Sequence, residues 1–341
     1  MTFSKPKYKR NEVRRCGKIL ASENGLDNKY ALDVADNWRS SHLQPVKTFL
    51  QMLQRESLKI TDDSTSVFRL KRLPSIVDKL GRLKSHDLAS MQDIGGCRTV
   101  LDKVSDLYRL RNAIRKSEMK HKFIREYDYI ITPKPSGYRG IHLIYKYYSD
   151  KNDYYNGLNV EIQIRTKRQH AWATCVEVAG DYLSHSFKSS QGPEEWLNFF
   201  KLASSAIAIL EKSPTVVGTP NSKQALKQEL RTSYEELKVK ETLRRIKRSH
   251  SEINKMNVKA KNKYFLVDFN EQTKNVSITS YREKDIESLT KDYLRKEEEY
   301  KYTLHNVVVV SGNSIESLRY AYGNYFADVD TFLRMMDRFI K

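Results

Sequence analysis

The chain has 341 residues and a formal net charge of +19, with 61 Lys and Arg against 42 Asp and Glu. Its hydrophobic content of 39% is enough for a packed core, yet no apolar run approaches the roughly 18–20 residues of a membrane span, so no membrane role is expected. The charge excess points to a polyanionic partner, with nucleic acid ahead of a membrane surface.

Residues 5–57 read as helical, with a break at "ENGLDN" (Glu23–Asn28). "TSVFRLKRL" (Thr65–Leu73) reads as a strand, and Pro74 opens a helix where proline is tolerated. "CRTVL" (Cys97–Leu101) is a short strand before a helix over 103–115, and "KFIREYDYIIT" (Lys122–Thr132) is another strand. "GIHLIYKYY" (Gly140–Tyr148) and "LNVEIQIRT" (Leu158–Thr166) form an antiparallel pair, followed by helices over 167–185 and 193–211. "KSPTVVGTPNS" (Lys212–Ser222) is a linker by its Pro and Gly content. A long basic helix follows, in which Leu226, Leu230, Tyr234 and Leu237 recur at helical spacing. "KYFLVDF" (Lys263–Phe269) and "NVSITSY" (Asn275–Tyr281) read as a hairpin, "HNVVVVSG" (His305–Gly312) as a third strand, and 314–340 as helical. The expected organisation is a helical region at 1–60, a main domain at 61–211, a linker and basic helix at 212–262, and a small α/β module at 263–341.

Cys16, Cys97 and Cys175 are far apart and form no CxxC pair, so neither a disulfide framework nor a zinc site is expected. The N-terminal "MTFSKPKYKRNEVRR" has no apolar stretch behind it, unlike a secretory leader, and the expected location is cytoplasmic. Positive charge clusters at 1–19, with seven Lys/Arg and one acid, and at 223–263, with thirteen Lys/Arg and five acids. Lys7, Lys9, Arg10, Arg14 and Arg15 in the first cluster, and Arg244, Arg245, Lys247 and Arg248 in the second, are candidate contacts to a nucleic-acid backbone. A solvated helix face is the simpler account of either cluster alone.

Side chains alternate along a strand. In "VEIQIRT", Val160, Ile162 and Ile164 share one face and Glu161, Gln163 and Arg165 the other. "GIHLIYK" sets Ile141, Leu143 and Tyr145 against His142, Ile144 and Lys146; "FRLK" sets Phe68 and Leu70 against Arg69 and Lys71. One polar face is common in antiparallel sheets, but three within about 100 residues, each mixing bases with an acid or His, point to a site. Ser75 and Lys79 lie four apart on one helix face, near a helix N-terminus that suits phosphate. Asp93, five residues before Arg98, has the type and place of a Mg²⁺ ligand, since Mg²⁺ takes one or two carboxylates plus substrate phosphates. No GxxxxGK[ST] is present. "PKPSGYRGIH" (Pro133–His142) reads as a turn that also offers a Tyr, bases and a His.

Together, "RLKRLPSIVDK" (Arg69–Lys79), "DIGGCR" (Asp93–Arg98), "KPSGYRGIH" (Lys134–His142) and "VEIQIRT" (Val160–Thr166) resemble the synthetase domain of the RelA/SpoT family, in its order and spacing over about 65–185. The resemblance implies an α/β (α+β) fold with a mixed sheet flanked by helices, of nucleotidyltransferase type. It implies transfer of the β,γ-pyrophosphate of ATP to a ribose 3′-hydroxyl with Mg²⁺. Arg69 and Arg98 would sandwich adenine, while Lys71, Ser75 and Lys79 hold the phosphates. Asp93 and Glu161 would hold Mg²⁺, with Glu161 also acting as general base. Tyr138 would stack on the acceptor base, beside His142, Gln163 and Arg165. The acceptor would be GDP or GTP, or the 3′-CCA end of tRNA.

A shorter resemblance concerns "RYAYGNYFAD" (Arg319–Asp328), which is similar to the tail of the CapRel group of fused toxin–antitoxins of anti-phage defence. It implies a zinc-finger-like C-terminal domain without zinc, in which Tyr322 and Tyr325 block the ATP site until a phage capsid-type protein binds. The simpler reading is that these tyrosines pack a small domain. Three functions remain open: an autoinhibited tRNA pyrophosphokinase toxin, a (p)ppGpp synthetase, and an inactive RNA-binding protein that kept the fold.

Overall fold

The computed structural model describes residues 4–22, 24–62, 64–82, 87–183, 187, 192–249, 264–270, 276–300, 305–311 and 329–341. Helices α1 (Arg10–Leu20), α2 (Lys29–Ser40) and α3 (Leu43–Leu58) open the chain. Asn28 caps α2, its side chain accepting the Ala31 N–H. Then come β1 (Thr65–Leu70), α4 (Leu73–Arg82), β2 (Gly95–Leu101), α5 (Val104–Lys116), β3 (Lys122–Asp128), β4 (Ile141–Lys146), β5 (Asn159–Thr166), α6 (Lys167–Leu183) and α7 (Glu194–Leu210). The remainder is α8 (Lys223–Glu236), α9 (Val239–Ser249), β6 (Tyr264–Asn270), β7 (Val276–Tyr281), α10 (Ile286–Glu299), β8 (His305–Ser311) and α11 (Asp330–Ile340).

Among the described residues the strands make one eight-stranded sheet in the order β3–β4–β5–β2–β1–β8–β6–β7. Only the β2–β5 pair within it is parallel. The apolar alternation read from the sequence packs one sheet face: Cys97, Leu143, Val160, Ile162 and Ile164 share a core with Phe49 and Leu53 of α3, Ile76 of α4 and Leu107 of α5. Residues 1–60 therefore join the main domain's core instead of standing apart. A second core lies among α6, α7, α8, α9 and α11, with Trp172, Phe199, Phe200, Leu226, Leu230 and Tyr234 buried there.

The C-terminal part departs from the expected separate module. β8 pairs with the edge of β1 through Val67↔Val310 and Phe68↔Val309, and β6 and β7 extend the sheet outward. Leu266, Tyr281, Leu289, Tyr293, Val307 and Val309 belong to the same core as α3, while Phe332, Leu333, Met336 and Phe339 of α11 close the second core. Pairing covers an edge of β1 that would otherwise present unpaired backbone groups. Alternation identifies a strand but not the edge it joins. The described strands of 263–341 thus extend the main sheet.

Two smaller differences have local causes. The basic helix breaks at Lys238, which takes φ 46° between α8 and α9. Strand β3 ends at Asp128 because its carboxylate Oδ1 accepts the N–H groups of Ile130 and Ile131 and turns the chain.

Candidate active site

Side chains in register on neighbouring strands share a face, so the pairing lays two rows across five strands. One row runs Arg69, Gly96, Glu161, Ile144, Arg125; the next runs Val67, Arg98, Gln163, His142, Tyr127. This face, opposite the α3 core, forms the floor of a cleft of about 400 Å³ whose far wall includes Trp172, Ala173, Val176 and Glu177 of α6. Arg69, Lys71, Lys79, Asp93, Arg98, Tyr138, His142, Glu161, Gln163 and Arg165 all line it. Ser75, half-buried one turn before Lys79, is not among the lining residues.

At one end Asp93 is held by two ammonium groups, Lys79 Nζ at 2.8 Å and Lys71 Nζ at 3.2 Å. Burial alone would raise the Asp93 carboxyl, but Lys71 and then Lys79 outweigh it and bring it to about 2. Burial lowers Lys71, an effect that Asp93 offsets only in part. The end is strongly cationic, with Arg69 on β1 and Arg98 on β2 beside the two lysines.

At the other end five side chains close a ring of hydrogen bonds. Arg165 can only donate, so the Tyr138 oxygen accepts from it at 2.5 Å. The Tyr138 hydroxyl then donates to His142 Nε2 at 2.5 Å, and His142 Nδ1–H donates to Glu161 Oε1 at 2.8 Å. Gln163 Nε2 donates to Glu161 Oε2 at 2.6 Å, and Gln163 Oε1 accepts from Arg165 at 2.9 Å. Burial works against ionised Glu161, yet His142 and Gln163 hold its pKa below the ordinary value. Asp93 acts on it in the opposite sense, the sign that the two carboxylates face one space.

The turn carrying Tyr138 is built from below. Gly137 takes φ 92°, and a Cβ there would stand 2.8 Å from Ser204 Cβ. Ser204 Oγ donates to the Gly137 carbonyl at 2.5 Å and accepts from Arg139 Nε at 2.9 Å. Arg139, 2% exposed, also reaches the Ile130 carbonyl, and burial lowers its guanidinium to about 10. So α7 grips the turn through Ser204.

Four residues near the site were passed over in the sequence. Lys134 lies 4.6 Å over the Tyr129 ring and 5.2 Å from that of Tyr138. Tyr127 and Tyr129 line the cleft with parallel rings. Arg139 sits inside a quoted motif but acts from within. Its burial has no periodic signal; the Arg125–Tyr127–Tyr129 alternation was available and unread.

The basic clusters are only partly surface groups. Lys7 and Lys9 are exposed, but Arg10 donates to the Gly157 carbonyl at 2.8 Å and lies over Trp38, so it is structural. Arg14 stands 3.7 Å from Asp87 and Arg15 2.6 Å from Glu12. Arg244 and Arg245 are exposed on α9; Lys247 and Arg248 continue that helix, their side chains outside the described residues. Tyr322 and Tyr325 also lie outside the described residues. Among the described residues, no helix is long and apolar enough to cross a membrane, and no group of three or more His, Cys, Asp and Glu could hold a metal ion.

Residues 68–185 match the family described as "Region found in RelA / SpoT proteins". The GTP pyrophosphokinases YwaC and YjbM of Bacillus subtilis (strain 168) are 35% identical over 115 residues and 33% identical over 108. Each alignment takes in 31% of this chain and 52% or 51% of the relative, so the chain spans about half the length of the curated relatives it matches. Among solved structures, the small alarmone synthetase 1 of Bacillus subtilis bound to its product pppGpp is 29% identical, with 50% of this chain and 88% of that chain covered and a TM-score of 0.42. The small alarmone synthetase 2 of Bacillus subtilis is 27% identical, with 50% and 92% covered and the same TM-score of 0.42. Residues 68–185 thus match the region found in RelA/SpoT proteins, and the chain has relatives among GTP pyrophosphokinases.

Proposed function

We propose that the cleft is the active site of an ATP-dependent pyrophosphokinase that moves the β,γ-pyrophosphoryl group of ATP to a ribose 3′-hydroxyl. The observation that carries this reading is one cleft with four cations and Asp93 at one end and the Glu161–His142–Tyr138–Arg165–Gln163 ring at the other. Arg69 and Arg98 offer planar groups to an adenine, and a triphosphate offers Lys71 and Lys79 more charge than Asp93 does. The acceptor 3′ oxygen bonds to the β-phosphorus as the bond from that phosphorus to the α,β-bridging oxygen breaks. AMP leaves with that oxygen, and Glu161 takes the hydroxyl proton. Such transfer depends on in-line placement and charge stabilisation.

Asp93 and Glu161 are two carboxylates that face one cleft, a donor set that suits Mg²⁺ completing its shell with phosphates and water. Asp93 and Glu161 would hold the ion, which would supply charge neutralisation at the phosphates. The depressed pKa of Glu161 suits a ligand better than a base, so its base role requires that a donor, His142 or Gln163, be given up when substrate binds.

The preferred acceptor is the 3′-CCA end of tRNA, whose modification blocks translation. The net charge of +19 and the exposed Lys7, Lys9, Arg244 and Arg245 support it. GDP or GTP is the second reading, favoured by the curated relatives named GTP pyrophosphokinases. The reading extends to control as a fused toxin–antitoxin, with Tyr322 and Tyr325 blocking the ATP site and a phage capsid-type protein releasing the block. Its support is the sequence of "RYAYGNYFAD" (Arg319–Asp328), which carries Tyr322 and Tyr325. The test is γ-labelled ATP with tRNA or GDP, using the full chain, Tyr322→Ala and Glu161→Gln. Label should pass to tRNA more with Tyr322→Ala than with the resting full chain, and Glu161→Gln added to Tyr322→Ala should lower it at least about 100-fold. Label on GDP alone selects the second reading, and label on neither, Tyr322→Ala included, sinks the enzyme.

A further inference from the structure

We propose that Tyr127 and Tyr129, with Arg125 beyond them, form a stacking subsite for the nucleotide on the 5′ side of the acceptor nucleotide, so the site takes a single-stranded polynucleotide 3′ end. This rests on the pyrophosphokinase reading and names residues that set its acceptor. β3 is the outermost strand on this side of the sheet, two strands from β5 and hence about 10 Å from the Glu161 strand. Tyr127 and Tyr129 both line the cleft, their rings stacked 3° from parallel with centroids 5.7 Å apart, and together they form one aromatic strip. Tyr129 meets Tyr138 and His142 nearly edge-on, at 77° and 87°. The strip is therefore a different surface from the Tyr138 face, at a steep angle to it.

Charge follows the strip. Lys134 lies over Tyr129 at one end. At the other, exposed Arg125 donates to the Tyr127 hydroxyl at 3.2 Å and stands 5.8 Å from its ring. Aromatic faces interleaved with cations along a groove suit single-stranded nucleic acid, because every base has a stacking face and every linkage a negative charge. One nucleotide is already provided for by Tyr138, His142 and Lys134. Packing does not account for the strip, because the apolar core of β4 and β5 lies on the opposite face of the sheet.

The test uses the full chain and three acceptors: a hairpin RNA with a three-nucleotide single-stranded 3′ end, the same hairpin with a blunt end, and GDP. For Tyr127→Ala the KM for the overhang RNA should rise about tenfold, more than the KM for ATP, with Tyr127→Phe restoring it. Anisotropy binding of the overhang RNA should weaken in parallel, and wild type should prefer overhang to blunt RNA. Equal affinity of wild type and Tyr127→Ala for the overhang RNA overturns the subsite, as does wild-type transfer to GDP alone. Transfer to no acceptor by either wild type or Tyr322→Ala counts against the pyrophosphokinase reading instead, and the binding measurement still decides the subsite.

Discussion

His142 Nδ1 stands 2.8 Å from Glu161 Oε1, while the other nitrogen of the same ring meets the Tyr138 hydroxyl at 2.5 Å. One imidazole thus ties the Tyr138 ring to the Glu161 carboxylate. Burial opposes ionisation of Glu161, and His142 is the strongest of the groups that reverse this. Removing the imidazole in His142→Ala should raise the Glu161 pKa. The acid limb of the kcat/KM profile should then move to higher pH. An acid limb at the wild-type position would mean that Glu161 is not the group whose ionisation limits the rate.

The acceptor turn makes a second case. Gly137 has φ 92°, and an added Cβ would meet Ser204 Cβ at 2.8 Å and Trp172 Cζ2 at 3.1 Å. Gly137→Ala must strain the backbone and push α7 and α6 from the turn that carries Tyr138. A stability loss of about 1–3 kcal/mol is expected. The KM for acceptor should rise more than the KM for ATP, because Arg69, Lys71 and Lys79 lie on other elements. Denaturant unfolding and the two KM values check this; an equal rise in both would place the damage elsewhere.

Much of the site was legible because the strand period is two. The alternation in "VEIQIRT" alone separated Glu161, Gln163 and Arg165 from Val160, Ile162 and Ile164, and the structure buries the second set completely. Lys71, Lys79 and Asp93 were placed by local spacing and converge as expected. For Ser75, four residues of separation from Lys79 sets a helix face but not how far along the helix the cleft reaches. The C-terminal strands were recognised, but their attachment to β1 was not, since pairing of residues about 240 apart leaves no local trace. Arg139 was unreadable for a related reason: Ser204, which binds it, comes from a distant segment.

Glu211, just past α7, gives a pH signature that does not involve the reaction. Its carboxylate accepts Thr166 Oγ1 at 2.5 Å and Gln169 Nε2 at 2.8 Å. Burial raises its pKa, and these donors offset that only in part. A carboxyl whose folded pKa is raised adds stability below its unfolded value, near 4.5, and that contribution is lost as pH rises through the folded value. Glu211→Gln removes the titration. The melting temperature of the variant minus that of wild type should therefore increase from pH 4 to pH 8. A constant difference would mean that Glu211 titrates alike in both states.

The place of α11 decides how the C-terminal segment can be studied. Phe332 is fully buried, 6.1 Å from the Phe199 ring and 6.4 Å from that of Phe200, on the same helix as Ser204. Arg231 donates to the Ile340 carbonyl, and Asp337 accepts Tyr234 and Lys240 at 2.9 and 2.7 Å. The helix therefore belongs to the structure that holds the Gly137 turn. Phe332→Ala should cost about 3–5 kcal/mol and lower the melting temperature by about 10 °C. Deleting 330–341 should expose the α6–α8 core and yield little soluble protein. If control works through Tyr322 and Tyr325, their substitution should raise activity with little change in melting temperature, whereas Phe332→Ala should lower both. A soluble, active chain lacking 330–341 would show that α11 is an appendage and that the turn holds without it.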